Sequence, residues 1–244
     1  MTPEIPFPPR EAPPPPPPSD RAFWSYLDVA MFIVLGVISF ALTLVATTGL
    51  SFLRLFTPAT RIVLAQCVLY VLIVASLYLL ITVRYGRPFW PSMGFRSQPH
   101  WIRYAVLGVI LAFAAGALGA LLRARQIDLP FQEMLRSRSA IISLGILVVL
   151  LGPLCEELVF RGFLMPLFVR SMGAVAGIVL AGVLFGAMHG PEYQWSWQHV
   201  VLISGVGVAF GWARYRTHST IPAALMHSAF NLTQFTAFIL LGKQ

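Results

Sequence analysis

The chain has 244 residues, 57% of them hydrophobic and only 11% charged, whereas a soluble domain carries about 25% charged residues. With a mean hydropathy of +0.77, it reads as a multi-span membrane protein rather than a soluble one. The net charge of +8 comes almost wholly from arginines scattered between apolar runs. They form no basic stripe with interleaved aromatics, so no nucleic-acid partner is expected, and juxtamembrane arginines facing anionic lipid account for them better.

Residues 1–20 hold ten of the nineteen prolines. Proline at that density blocks helix and sheet, which predicts a disordered tail on the cytoplasmic side. A transmembrane helical domain is expected over 21–244. Its apolar runs predict seven spans near 27–49, 62–83, 104–122, 139–170, 173–190, 198–213 and 221–241, packed as one all-α bundle. The fourth run is too long for an upright span, so it should tilt, extend beyond the bilayer, or break at Pro153 or Pro166. The first run is long enough to span and follows prolines, so no cleavable signal peptide is expected.

Trp24, Tyr26, Trp90, Trp101, Tyr104, Trp195, Trp197, Trp212 and Tyr215 mark the span ends as an interfacial belt. With the amino terminus inside, nine basic residues fall on the inner side and seven, including Arg54, Arg136 and Lys243, on the outer. That split is too even to fix the topology. In the fifth run Gly173 and Gly177, and then Gly182, Gly186 and Gly190, recur every fourth residue, a spacing that lets helices approach closely. Cys67 and Cys155 lie inside apolar runs and suggest neither a disulfide framework nor a zinc knuckle.

Strongly polar residues inside hydrocarbon cost several kcal/mol each and usually line a cavity or pathway. Those in the runs are Gln66, Glu156, Glu157, Arg161, His189, His227, Asn231 and Gln234, and all but Gln66 lie near the carboxy terminus. Glu157 and Arg161 are four apart, on one helix face, and should pair. Glu156 points about 100° away. His227 and Asn231 share a face, and Pro153 frees a carbonyl one turn earlier. Helix rise puts Glu156 about 21 Å and His189 about 24 Å below one membrane face, but His227 only about 9 Å and Asn231 about 15 Å. A tilt or an unwound start of the last span is therefore needed to bring the histidines together.

A desolvated glutamate is a good general base near neutrality. A histidine beside it can share the proton or hold a water, and a second histidine with an asparagine can donate to an oxyanion. Together these groups fit peptide or ester hydrolysis inside the membrane. The same types also make an open zinc site, with Glu156, His189 and His227 as ligands, although no H-E-x-x-H is present. A nucleophilic Cys155 is a third option. His100, His199 and His218 lie in linkers or at edges and receive no role.

E-E-x-x-x-R at Glu156, Glu157 and Arg161, followed by Gly162, resembles the first motif of the CPBP family, the CAAX-protease and bacteriocin-processing (Abi-type) intramembrane proteases. F-x-x-x-H at Phe185 and His189 resembles its second motif, and H-x-x-x-N at His227 and Asn231 its third. Thr217, His218 and Ser219 stand where the family often has threonine-glycine-serine, which bears on loop shape. The resemblance covers about 139–235 and implies an α-helical membrane endopeptidase with that stretch as its protease core. It implies that Glu156 activates water with His189, that His227 and Asn231 form the oxyanion hole, and that Glu157 and Arg161 support them. A metal-free glutamate mechanism is the expected one, with bound zinc as the alternative.

The implied partners are the lipid bilayer and a membrane-associated peptide or protein substrate, and the implied location is the cell membrane. Some relatives remove the three residues after a prenylated cysteine, and others serve bacteriocin maturation or self-immunity or act as scaffolds. A silent scaffold or immunity protein of the same fold and a proton-coupled transporter are the rival readings. A transporter would often show internal repeats, whereas here the polar set lies in one half of the chain.

Overall fold

A computed structural model of the protein describes residues 22–53, 56–125, 127 and 138–241. The tail expected over 1–20, and Arg54, Arg136 and Lys243 of the charge comparison, lie outside them. Helices α1 (Tyr26–Leu53), α2 (Pro58–Leu79), α3 (Phe89–Ser92) and α4 (Trp101–Leu121) come first, and α2 runs on through a π-helical turn over Leu80–Arg84. The carboxy-terminal part holds α5 (Arg138–Ile146), α6 (Gly152–Glu157), α7 (Met165–Met172), α8 (Ala174–Met188), α9 (Trp197–Thr217) and α10 (Thr220–Leu241). No strand occurs among the described residues, so the all-α expectation holds.

Helix α1 opens on a capping box. The amide and hydroxyl of Ser25 both donate to Asp28 Oδ2, at 2.8 and 2.9 Å. Along the same helix Ser39, Thr43 and Thr48 return their hydroxyls to carbonyls four residues back. These polar side chains are thereby satisfied in an otherwise apolar element. Outward-facing side chains such as Val45, Phe52, Val71 and Phe113 are large, apolar and exposed, as lipid-facing positions should be.

Five of the helices are long and apolar enough to cross a membrane: Tyr26–Phe52, Thr60–Arg84, Trp101–Leu121, Ala140–Met172 and Thr220–Leu241. The expected count of seven is not confirmed. Helix α8 is apolar but has 15 residues, a rise of about 22 Å against a hydrocarbon core of about 30 Å. Helix α9 carries Arg214 and Arg216 in its last turn. The fourth predicted span is a rod of 33 residues over Ala140–Met172, about 50 Å long.

That rod does not break at its prolines. Ahead of each it widens into a π-helical stretch, Leu147–Leu151 before Pro153 and Leu158–Leu164 before Pro166. A proline has no N–H and its ring collides with the carbonyl four residues back, so a wider turn lets the helix continue past it. Such turns gather at functional sites, and here they bracket the six residues of α6, which include both glutamates.

Helices α8 and α9 pack backbone to backbone. A Cβ on Gly186 would fall 2.1 Å from Ser204 Oγ, and one on Gly182 would fall 2.6 Å from Val208. The small residues of the fifth run thus seat α8 on α9. Residues ahead of α5 brace this core. The Trp24 indole donates to the Phe163 carbonyl at 3.0 Å, and Arg170 donates to the carbonyls of Ala22 and Trp24.

Candidate active site

The turn into α10 explains how the two histidines meet. Ser219 and Thr220 are fully buried. Thr220 donates its amide to the Gly94 carbonyl at 2.8 Å and its hydroxyl to the Met93 carbonyl at 2.6 Å, and the Ser219 hydroxyl donates to the Arg96 carbonyl at 2.6 Å. The segment after α3 therefore holds the start of α10 below the surface of the protein. His227, two turns on, comes level with the end of α8 and with α6.

Glu157 and Arg161 form a buried pair, with Glu157 Oε2 and Arg161 Nε left without hydrogen-bond partners among the described residues. Both side chains are fully buried, and Arg161 Nη1 donates to Glu157 Oε1 at 2.9 Å. Arg161 Nη2 donates to the Gly207 carbonyl at 2.7 Å, which ties α9 to the rod. The guanidinium lies 4.5 Å from the Phe185 ring centroid and 5.4 Å from that of Phe210, a cation–π arrangement that offsets part of its lost hydration. Glu157 Oε1 also takes a hydrogen bond from His227 Nδ1 at 2.9 Å. Phe210 stacks on the His227 ring with centroids 4.8 Å apart.

Glu156 has different surroundings. Its side chain keeps 19% of its exposure. Oε2 lies 3.9 Å from His189 Nε2 and 3.9 Å from His227 Nε2, too far for a direct hydrogen bond, and it has no other hydrogen-bond partner among the described residues. His189 caps the end of α8 and its Nδ1 lies 2.8 Å from the Phe185 carbonyl. A carbonyl only accepts, so Nδ1 carries the proton and in the neutral ring Nε2 offers its lone pair toward Glu156. Phe185 thus serves His189 through its backbone and Arg161 through its ring.

Asn231 stands apart from the carboxylates. Its amide donates to the Val148 carbonyl at 2.8 Å. In the widened turn Gly152 N–H reaches back five residues to Leu147. The next bond in that register would run from residue 153 to Val148, and Pro153 has no N–H to make it. Asn231 supplies that donor and keeps a second N–H of its own. Gln234 is exposed and joins no cluster. Cys155 is buried, while the polar contacts of both histidines go to Phe185 and the two glutamates.

The zinc alternative does not fit this arrangement. A tetrahedral zinc with bonds of about 2.0–2.1 Å sets its ligand atoms about 3.3–3.4 Å apart, and both separations here are 3.9 Å. Among the described residues no group of three or more His, Cys, Asp or Glu is placed to hold a metal ion.

Several contributors were not evident from the sequence. The Tyr70 hydroxyl donates to Glu156 Oε1 at 3.4 Å. Glu192, on the turn after His189, is close enough for its charge to act on His189 and Glu156. Phe210 and the Gly207 carbonyl hold Arg161 and His227. Tyr70 lies in an apolar run where a tyrosine reads as core or interface, and its one sequence signal is Gln66, the polar residue one turn earlier.

An all-helical protein with five apolar helices of spanning length is an integral membrane protein, and its buried Glu/His/Arg cluster has the residue types of a hydrolytic site. Residues 138–233 match the family described as Rce1-like, type II CAAX prenyl endopeptidases. Over that segment the CPBP resemblance holds, and the match supports the class of CAAX-protease-type intramembrane endopeptidases in general, a class that implies a membrane-embedded protein substrate. No curated protein and no solved structure matches the chain.

Proposed function

We propose that the protein hydrolyses a peptide bond within the membrane by carboxylate-activated water. The observation that carries this reading is Glu156 Oε2, without a hydrogen-bond partner and 3.9 Å from each of two imidazole Nε2 atoms. A water about 2.8 Å from Oε2 and from His189 Nε2 fits that spacing. Glu156 takes the proton as the water oxygen attacks the scissile carbonyl carbon. His227, protonated on both nitrogens against Glu157, donates from Nε2 to the resulting oxyanion, and the second N–H of Asn231 is the further donor. Glu156 then returns the proton to the leaving nitrogen as the C–N bond breaks, which yields a carboxylic acid and an amine. Glu157 and Arg161 hold His227 and touch no substrate. The family resemblance supports a prenylated-tail substrate class, and the cell membrane is the proposed location.

The test is cleavage, in nanodiscs, of an internally quenched peptide that carries a farnesylated cysteine followed by three residues. Glu156→Gln should lower kcat by about 10² to 10⁴ without changing the melting temperature, and a zinc chelator should leave the wild type unaffected. Cleavage retained in Glu156→Gln would remove the base assignment. Loss with chelator, restored by zinc, would replace it with a metal mechanism. Wild-type protein that cuts no such peptide would return the scaffold reading.

A further inference from the structure

The hydroxyl of Tyr70 reaches the site from α2, outside the residues that match the family. Among the described residues it is the one side chain of the amino-terminal helices that hydrogen-bonds Glu156, across 86 positions of sequence. Space for it is made by Gly152. A Cβ there would lie 3.2 Å from the Tyr70 hydroxyl and 3.7 Å from Glu156 Oε1, so any larger residue would crowd the contact. Gln66, one turn earlier on α2, is in polar reach of the same phenol. A phenol and an amide in an apolar helix are costly unless partnered; here the amide partners the phenol and the phenol partners Glu156.

We propose that Tyr70 is a positioning residue for Glu156, holding one carboxylate oxygen so that the other faces the two imidazoles. This rests on the reading of Glu156 as the base. The last torsion of a glutamate is broad and roughly two-fold, so nothing in the side chain itself selects which oxygen meets His189 and His227. A hydrogen bond to Oε1 makes that selection. At 3.4 Å the bond is longer than a close O–H···O contact, as catalytic hydrogen bonds often are before substrate binds.

The other ionisable groups around Glu156 are distinct from Tyr70 in charge and direction. Cys155, Glu157 and Arg161 lie on its own rod. His189 and Glu192 approach from the end of α8, and His227 from α10. Tyr70→Phe removes one oxygen and leaves all of these in place.

The test is an infrared difference spectrum of the full chain in nanodiscs at one neutral pH, with the Glu156 carboxylate bands identified as those missing from Glu156→Gln. The separation of its two stretching bands should change in Tyr70→Phe, because one oxygen loses its hydrogen bond, with equal melting temperatures. Peptide cleavage by Tyr70→Phe should show kcat at neutral pH reduced about three- to tenfold and KM unchanged. Unchanged carboxylate bands would overturn the proposal whatever the activity. If Glu156→Gln still cleaves, the base reading fails separately, and the infrared comparison still decides whether Tyr70 holds the carboxylate.

Discussion

Glu156 and Glu157 are consecutive residues of one helix, yet the bundle gives them opposite surroundings. Glu157 is fully buried, and one of its oxygens takes bonds from Arg161 and His227 at 2.9 Å each. Each glutamate has one oxygen, Oε2, without a hydrogen-bond partner, but Glu156 keeps partial exposure and turns its Oε2 toward two ring nitrogens at 3.9 Å. The rotation of about 100° between neighbouring helical residues separates a structural carboxylate from a reactive one. Two carboxyl groups pushed into different environments are a recurrent way to divide labour in a site. Here the division comes from which helix each one meets: α10 for Glu157, through His227 Nδ1, and α2 and the end of α8 for Glu156.

The comparison is broken most severely by exchanging the fates of the two residues. Glu156→Gln is expected to lose activity and keep its fold, as set out above. Arg161→Met should do the reverse. It leaves Glu157 buried beside His227 without its cation, and breaking a buried pair costs about 3–5 kcal/mol. The expected result is a large drop in detergent melting temperature, with lost activity following from lost fold. A well-folded Arg161→Met protein with full activity would show that the pair is dispensable. His189→Ala comes next in size. It should lower kcat by about 10² or more with little change in melting temperature, because the imidazole is one-fifth exposed and bonded to the carbonyl of its own helix. An equal loss of stability would instead mark His189 as a packing element.

Much of this was legible in the sequence. Hydropathy runs locate every long helix to within a few residues, because an apolar stretch of that length has no other use. The E-E-x-x-x-R spacing places Glu157 and Arg161 on one face, which is local geometry and independent of the rest of the fold. The depth of His227 was not legible. It depends on contacts of Ser219 and Thr220 with the carbonyls of Met93, Gly94 and Arg96, more than 120 positions away. The contribution of Tyr70 was hidden for the same reason. The fate of the long fourth run was half legible. Pro153 and Pro166 mark where the regular helix is disturbed, but the disturbance is a widened turn rather than a break, and its free carbonyl at Val148 is met from another helix by Asn231.

That last contact gives the smallest and most discriminating prediction. Asn231 has two N–H groups, one on the Val148 carbonyl and one free for an oxyanion. Asn231→Ala removes both. Loss of the carbonyl contact alone should cost about 0.6 kcal/mol, the typical worth of an interhelical hydrogen bond within a membrane, and so shift the melting temperature by only a few degrees. Loss of an oxyanion donor should lower kcat by about 10² to 10³ with KM little changed. A small thermal shift with unchanged kcat would confine Asn231 to replacing the missing proline N–H and leave the oxyanion to His227. A large fall in kcat beside the same small shift would show that one amide serves both ends, fastening α10 to the widened turn while facing the bond to be cut. Asn231→Asp sharpens the result, since it keeps the size but removes both donors and adds a charge beside the Val148 carbonyl. It should therefore be less stable than Asn231→Ala while matching or exceeding its loss of kcat.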